Sequence, residues 1–220
     1  MSSTVSSQFG ALGVSSALVQ ALEKGGLVEP TPIQQLAIPP ALAGKDVLGC
    51  AQTGTGKTAA FVIPMIERLA QGPKSAPRGL ILAPTRELAF QIQTTITKFG
   101  RARGIFGTTV VGGDDMQAQV RGLRQRPDIL VATPGRLLDH MWQGTVSFAK
   151  LEIVVLDEAD RMLDMGFAPQ LNQILEALPL VRQTLLFSAT MPDNLGDLAR
   201  MSLNEPVKAL VSKSATPAEG

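Results

Sequence analysis

Aromatic residues, cysteine and histidine are scarce in this chain of 220 residues, and each shortage excludes a class of protein. Aromatic residues make up 4% and tyrosine is absent, which argues against a surface that binds bases by stacking. The single cysteine, Cys50, cannot form an internal disulfide, and one histidine leaves no Cys/His cluster for zinc. No apolar run approaches the roughly 18 residues that cross a bilayer, so we expect no membrane span.

The charge and the apolar content of the chain are those of an ordinary globular protein. Its net charge is +1, so any nucleic acid must be held by a local patch rather than by the field of the whole molecule. Hydrophobic residues make up 45%, which is enough for a packed core. Residues 1–7 lack the basic and apolar regions of a signal peptide. Together with the lone cysteine, this leads us to expect a soluble, cytoplasmic protein.

Short runs rich in valine, isoleucine and leucine alternate with amphipathic, helix-like stretches. Near-continuous apolar strands separated by helices predict an α/β fold with a mostly parallel sheet and helices on both faces. We expect one domain over residues 1–211 and a flexible tail, or the start of a linker, over residues 212–220. The predicted strands cover residues 46–49, 79–83, 108–111, 129–132, 153–156, 184–187 and 207–211, and the helices include 57–69, 86–99, 135–142 and 169–178.

A glycine-rich segment follows the first predicted strand and opens a helix near Lys57. Its glycines let backbone N–H groups turn towards phosphate oxygens, and the helix N-terminus adds its positive dipole end. Lys57 would reach the β- and γ-phosphates, and the Thr58 hydroxyl would hold Mg²⁺. An ordinary glycine-rich turn is the alternative, but Gly-Lys-Thr at residues 56–58 favours a phosphate site. The predicted nucleotide-binding residues of this segment are Ala51, Gln52, Thr53, Gly54, Thr55, Gly56, Lys57 and Thr58.

Two carboxylates follow the apolar strand predicted at residues 153–156. Asp157 is placed to bind Mg²⁺ directly or through water, and Glu158 can polarise a water molecule that attacks the phosphate. Acidic residues are also common at helix N-termini, which is the alternative. Because a phosphate-binding segment lies upstream, we expect Lys57, Asp157 and Glu158 to be catalytic, with ATP and Mg²⁺ as cofactors.

Asp-Glu-Ala-Asp at residues 157–160, together with the phosphate-binding segment, resembles the DEAD-box family of ATP-dependent RNA helicases. Other motifs of the family's first RecA-like domain occur in order along the chain. Residues 26–34 resemble the Q motif, 84–88 motif Ia, 112–113 the double-glycine motif, 133–136 motif Ib and 188–190 motif III. The resemblance covers residues 9 to about 211 and implies a single RecA-like P-loop domain.

The resemblance implies that Gln34 selects adenine and that Phe9 stacks on the base. A carboxamide can pair with adenine N6 and N7 at once. The residues alone leave two alternatives open: residues 31–34 also match a helix-capping box, and Phe9 could pack into the core. Leu27 departs from the family pattern, which usually has an aromatic residue there.

The resemblance also assigns a group of loop residues to the sugar-phosphate backbone of RNA. Backbone N–H groups, hydroxyls and arginines suit phosphates, which position a nucleic acid without reading its sequence. Residues 98–126 contain six basic residues against Asp114 and Asp115, although Arg121, Arg124 and Arg126 could form a solvated helical face. The candidates for RNA binding are Pro84, Thr85, Arg86, Gly112, Gly113, Thr133, Pro134, Gly135 and Arg136.

Three further residues are expected to couple RNA binding to the state of ATP. Ser188 and Thr190 follow the strand predicted at residues 184–187, where their hydroxyls can bond to Asp160. His140 and Trp142 fall on the helix after residues 133–136, and we interpret them as packing or surface residues rather than ligands.

Members of the family close two RecA-like domains over ATP and RNA, and the second domain supplies an arginine finger. This chain has no motif of that kind, so the resemblance implies a C-terminal RecA-like domain of the parent protein as partner. Such fingers are worth roughly 10³–10⁵ in rate, so we expect little or no hydrolysis without one. The alternative is a nucleotide-regulated docking module for RNA or protein that does not turn ATP over.

Overall fold

Residues 7–212 are described by a computed structural model, so the predicted tail lies outside the described residues except for Ser212. Within them, seven strands match the seven predicted ones to within one residue at each end. Five of the seven runs are buried along nearly their whole length, which explains why their sequence signal is strong. The runs at residues 107–110 and 207–210 are only partly buried. The strands are β1 (Val47–Cys50), β2 (Gly79–Leu82), β3 (Gly107–Val110), β4 (Ile129–Ala132), β5 (Ile153–Leu156), β6 (Gln183–Ser188) and β7 (Val207–Leu210).

The strands form one sheet in the order β3-β4-β2-β5-β6-β1-β7. Every neighbouring pair is parallel. The predicted mostly parallel sheet is therefore confirmed, and it is parallel throughout. Since all strands point the same way, their carboxyl ends meet at one edge, where open α/β sheets bind their ligands.

Helices link the strands and cover both faces of the sheet. The helices predicted near residues 57–69, 86–99, 135–142 and 169–178 are present, with ends shifted by at most one residue. The described residues form α1 (Gln8–Ala11), α2 (Ser16–Lys24), α3 (Pro32–Leu42), α4 (Lys57–Leu69), α5 (Arg86–Gly100), α6 (Met116–Arg124), α7 (Pro134–Trp142), α8 (Ala159–Asp164), α9 (Ala168–Ala177) and α10 (Asp193–Ser202), with a 3₁₀ turn at Arg101–Arg103.

Two hydrophobic cores lie on opposite faces of the sheet, because successive side chains of a strand point to opposite sides. In β4, Ile129 and Val131 belong to the core under α1 to α5, whereas Leu130 and Ala132 belong to the core under α6 to α10. The central strands β2, β4 and β5 are buried along their whole length. This double cover holds the carboxyl ends of the strands in a fixed relation to one another.

Polar side chains are also buried at the amino ends of the strands, where they tie the sheet together. Arg78, just before β2, is almost fully buried; it donates to Leu69 O at 2.9 Å and to Glu152 Oε1 at 2.9 Å. Asp128, just before β4, accepts from Phe106 N at 3.1 Å and pairs with Lys74 at 3.1 Å. These groups are satisfied by protein partners alone.

Candidate nucleotide-binding and RNA-binding site

The glycine-rich segment forms a loop between β1 and α4 at the carboxyl edge of the sheet. Gly54 and Gly56 have φ angles of 81° and 87°, a left-handed conformation that glycine adopts without strain. Lys57 begins α4, is buried, and donates from Nζ to Ala51 O at 2.7 Å. The lysine is thus held over the loop, with its charge at the helix N-terminus.

The loop faces the two carboxylates across a cleft of about 300 Å³. The cleft brings together residues that the sequence placed about 100 positions apart, as expected from their positions after β1 and β5. It also includes two residues of α5 that the sequence analysis missed, Leu88 and the exposed Gln91. The lining residues are Thr53, Gly54, Gly56, Lys57, Thr58, Leu88, Gln91, Asp157 and Glu158.

Asp157 is a buried carboxylate, with 3% of its surface exposed. Burial raises the pKa of this carboxyl from 3.8 to about 7, although the nearby charge of Lys57 opposes the rise. Its Oδ1 accepts from the backbone N–H of Glu158 at 2.9 Å, and its own N–H donates to Leu82 O at 2.9 Å. Burial disfavours the ionised form of this carboxylate, and a cation bound beside it would stabilise that form.

Glu158 adopts a left-handed backbone conformation with φ of 48°. For a residue with a side chain this costs about 1–2 kcal/mol, and such strain is concentrated at functional sites. The conformation turns the chain sharply from β5 into α8 and leaves Glu158 on the cleft wall beside Asp157. Arg161 Nη1 lies 3.3 Å from Glu158 Oε2.

Asp160 is connected to the loop after β6 through Thr190, whereas the hydroxyl of Ser188, which we also expected to bond to Asp160, bonds within that loop. Its Oδ2 accepts from Thr190 N at 3.0 Å and from Thr190 Oγ1 at 2.8 Å, while Ser188 Oγ donates to Thr190 O at 2.6 Å. Burial alone would raise the pKa of Asp160, but the hydrogen bonds from Thr190 and Arg161 outweigh it and lower the pKa. The three predicted coupling residues therefore form one hydrogen-bonded unit.

Gln34 lies against the phosphate-binding loop and is 2% exposed. Its Oε1 accepts from Thr31 N at 3.0 Å, and its Nε2 donates to Gly56 O at 3.1 Å. Of the two hydrogen bonds that make up a capping box, the one from the Thr31 backbone to the Gln34 side chain is formed, so the helix-capping alternative is met in part. The amide of Gln34 still has one N–H donor and one acceptor lone pair with which it could pair with adenine. That adenine contact stays a prediction.

Phe9 lies in the core below α1 to α5 and is fully buried. The structure therefore favours the packing alternative for the described conformation, and stacking on a base would require this ring to move. Leu27, the departure from the family pattern, packs partly buried against the same core.

The candidates for RNA binding lie after β2, β3 and β4, which are neighbours in the sheet. Thr85 caps α5 by accepting from Leu88 N at 3.3 Å, and Arg86 forms an exposed ion pair with Asp114 at 2.7 Å. Gly112 N donates to Thr133 Oγ1 at 3.2 Å. These contacts join the loop after β3 to the loops after β2 and β4.

Two nearby groups were not assigned to this surface by the sequence analysis. His140, interpreted there as a packing or surface residue, is fully buried and hydrogen-bonded to Gln119. His140 lies four residues after Arg136, so both side chains are on the same side of α7. This spacing is the feature of the sequence that could have linked His140 to the predicted RNA-binding residue Arg136. Gln119 carried no recognisable signal, and Arg121, Arg124 and Arg126 are exposed.

A parallel α/β sheet with a glycine-rich loop and paired carboxylates at its carboxyl edge defines a RecA-like P-loop domain. The family model for "DEAD/DEAH box helicase" matches residues 31–198, and the chain belongs to this family.

Curated relatives agree with that assignment. "ATP-dependent RNA helicase drs1" of Schizosaccharomyces pombe is 47% identical over 222 residues, covering 100% of this chain and 29% of that protein. "ATP-dependent rRNA helicase RRP3" of Meyerozyma guilliermondii is 50% identical over 215 residues, covering 96% of this chain and 44% of that protein. "ATP-dependent RNA helicase DRS1" of Pyricularia oryzae is 51% identical over 207 residues, covering 92% of this chain and 26% of that protein. The chain thus spans less than half the length of these relatives.

Within residues 7–212, no helix combines the length and the apolar character that crossing a membrane requires.

Proposed function

We propose that this chain is the N-terminal ATP- and RNA-binding domain of an ATP-dependent RNA helicase. The observation that carries the proposal is the cleft of about 300 Å³ in which Lys57, Asp157 and Glu158 face one another beside the loops after β2, β3 and β4. Family membership and the names of the relatives support the same reading.

The residues of the cleft fit a nucleotide triphosphate with Mg²⁺. Two glycines in left-handed conformation and a buried lysine at a helix N-terminus suit phosphate oxygens. Mg²⁺ in such sites takes one or two protein oxygens and completes its shell with phosphates and water, a need that Thr58 and Asp157 would meet. When bound, Mg²⁺ neutralises the charge that develops on the transferring phosphate.

The protein groups would then have separate roles in hydrolysis. Lys57 would exchange its bond to Ala51 O for phosphate oxygens, which keeps its charge satisfied in both states. Glu158 would orient the attacking water and accept its proton, since its carboxylate lies on the cleft wall beside Asp157. Gln34 would select adenine from its place against Gly56.

RNA would be held by its backbone and without preference for sequence. Hydroxyls, backbone N–H groups and two arginines occupy the surface after β2, β3 and β4, and these groups suit phosphates. The unit formed by Asp160 and Thr190 would report the state of the nucleotide cleft to the rest of the domain.

A C-terminal RecA-like domain of the parent protein is the proposed partner, because an arginine finger is needed for fast turnover. The greater length of the relatives supports this. We propose residues 1–211 as the domain and 212–220 as the tail or linker to that partner. The cytoplasmic location stays a prediction.

ATP turnover by this chain tests the proposal, measured with and without RNA and again after the second domain is added. We expect almost no turnover by the chain alone and RNA-stimulated turnover after addition. No turnover under any condition, with nucleotide and RNA still bound, would favour the docking module. Rapid RNA-stimulated turnover by the chain alone would refute the need for a second domain.

A further inference from the structure

A buried glutamine joins two of the loops assigned to RNA. Gln119, on α6, is 7% exposed and donates from Nε2 to Val111 O at 2.8 Å, directly before the two glycines. Its Oε1 accepts from Arg136 Nη1 at 3.0 Å and from His140 Nε2 at 2.8 Å. One amide thus connects the loop after β3 to the helix that follows β4.

The direction of each hydrogen bond follows from the chemistry of the partners. Val111 O can only accept, so the NH₂ group of Gln119 must face it, and Arg136 can only donate, so the amide oxygen must face the guanidinium. His140 Nε2 therefore has to carry a proton to donate to the same oxygen. The other ring nitrogen, Nδ1, lies 2.8 Å from Thr145 Oγ1. Burial, together with the nearby charge of Arg136, lowers the pKa of His140 and favours the neutral ring.

A second bond completes the link between the loops. The same Nη1 of Arg136 donates to Asp114 O at 2.8 Å, so Arg136 is fixed from both the loop and α6. Fixing Arg136 before RNA arrives removes part of the ordering cost that binding would otherwise carry. A buried network in which every member has a partner also makes the arrangement rigid.

We propose that Gln119 is a positioning residue for RNA binding, held in place by His140, and that it presents Arg136 and the double-glycine loop as one rigid surface for consecutive backbone phosphates. This rests on the proposed function, because it assumes that these loops bind RNA. Neither Gln119 nor His140 needs to touch the RNA itself.

Variants that remove or keep the donor and acceptor atoms test the proposal. Gln119→Leu keeps the volume but removes all three bonds of Gln119. His140→Leu removes one of these three, together with the contact between Nδ1 and Thr145 Oγ1. His140→Gln keeps an N–H donor of similar reach. Gln183→Leu is the matched control, since Gln183 is a buried glutamine that donates to Ala41 O and Lys45 O at the other edge of the sheet.

The readout is the affinity of the chain for a labelled single-stranded RNA of mixed sequence, with ATP affinity and urea unfolding measured in parallel. We expect Gln119→Leu to weaken RNA binding by about tenfold, the size expected for lost bonds to a charged group. His140→Leu should weaken it less, and His140→Gln should recover most of the loss. The ATP affinity of each of these variants should stay within about twofold of that of the unsubstituted chain.

Two results would overturn the proposal. One is unchanged RNA affinity in Gln119→Leu; the other is an equal loss in Gln183→Leu, which would show a general effect of destabilisation. If the unsubstituted chain binds no RNA at low salt, the proposed function itself fails. In that case the tautomer of His140, read from its ¹⁵N chemical shifts, still tests the network: a proton on Nε2 supports it, and a neutral ring protonated on Nδ1 refutes it.

Discussion

The two edges of the sheet both bury charged and polar side chains, but they do so in opposite ways. At the amino edge, Arg78 is surrounded by backbone carbonyls and Glu152, and Asp128 accepts from Lys74 and Phe106 N. At the carboxyl edge, Asp157 is equally buried yet receives only the N–H of its neighbour Glu158. Among residues 7–212 it has no ion pair within 4.0 Å.

The difference separates stability from function. A buried charge that is fully paired is costly to remove, because its partners are then left unsatisfied. A buried charge without a partner costs stability in the folded chain and becomes favourable when a ligand supplies the missing charge. We therefore propose that the amino edge holds the fold together and that the carboxyl edge binds the ligands.

The largest expected effect comes from Glu158→Gln, which removes the proposed base at the carboxyl edge. RNA-stimulated phosphate release, measured with the second domain present, should fall by about 1,000-fold. The control is Glu152→Gln, a carboxylate at the amino edge that pairs with Arg78. It should keep its turnover per folded molecule, and equal losses in the two variants would contradict the separation of roles.

Arg78→Met should have the largest effect on stability, because the buried carbonyl of Leu69 and the part-buried carbonyl of Gln71 lose their donor and Glu152 loses its ion-pair partner. We expect the free energy of unfolding, measured in urea, to fall by about 3 kcal/mol. Arg86→Met, an exposed arginine at the carboxyl edge, should change it by less than about 0.5 kcal/mol. A similar loss of unfolding free energy in Arg78→Met and Arg86→Met would contradict the proposed difference between the two edges, because the buried, fully paired arginine would then matter no more than the exposed one.

Asp157→Asn should stabilise the chain in the absence of nucleotide and metal, even though it removes a proposed ligand of Mg²⁺. The pKa of Asp157 is about 7 in the folded state, above its ordinary value of 3.8, so the native chain loses stability as pH rises between those values. The advantage of the variant should grow over that window and reach about 2 kcal/mol at pH 8. Urea unfolding at pH 5 and pH 8 measures it; a variant less stable at pH 8 would be evidence that Asp157 is satisfied by the protein.

The smallest expected effect is that of Asp114→Asn on RNA binding. Asp114 pairs with Arg86 in the absence of RNA, so removing its charge frees Arg86 for a phosphate. Affinity for RNA should rise by about two- to fivefold at low salt and less at high salt. Asp197→Asn, which breaks the exposed ion pair with Arg200 on α10, should have no such effect. If RNA affinity rises equally in both variants, the rise comes from the change in net charge and not from the release of Arg86.

Most of the fold followed from the sequence because it rests on local signals. Buried parallel strands appear as short apolar runs, and the glycines and acidic residues of the cleft directly follow them. The residues of the cleft were brought together as predicted, because strands that point the same way end at the same edge. The sheet order could not be predicted, since it depends on contacts between distant segments.

The features that the sequence did not reveal depend on tertiary contacts. Gln119 and His140 lie 21 positions apart and meet only because α6 and α7 cover the same face of the sheet. The bond from Lys57 to Ala51 O and the full burial of Phe9 likewise come from packing. Gln91 reaches the cleft only through the placement of α5 beside the phosphate-binding loop.

The most direct test of the separation between the two edges is to titrate the chain with a non-hydrolysable ATP analogue and Mg²⁺ while its backbone amide signals are recorded by NMR. The account predicts large shifts for Gly54, Gly56 and Glu158 at the carboxyl edge and little change around Arg78 and Asp128. Saturable shifts centred on the amino edge, with the carboxyl edge unchanged, would contradict it.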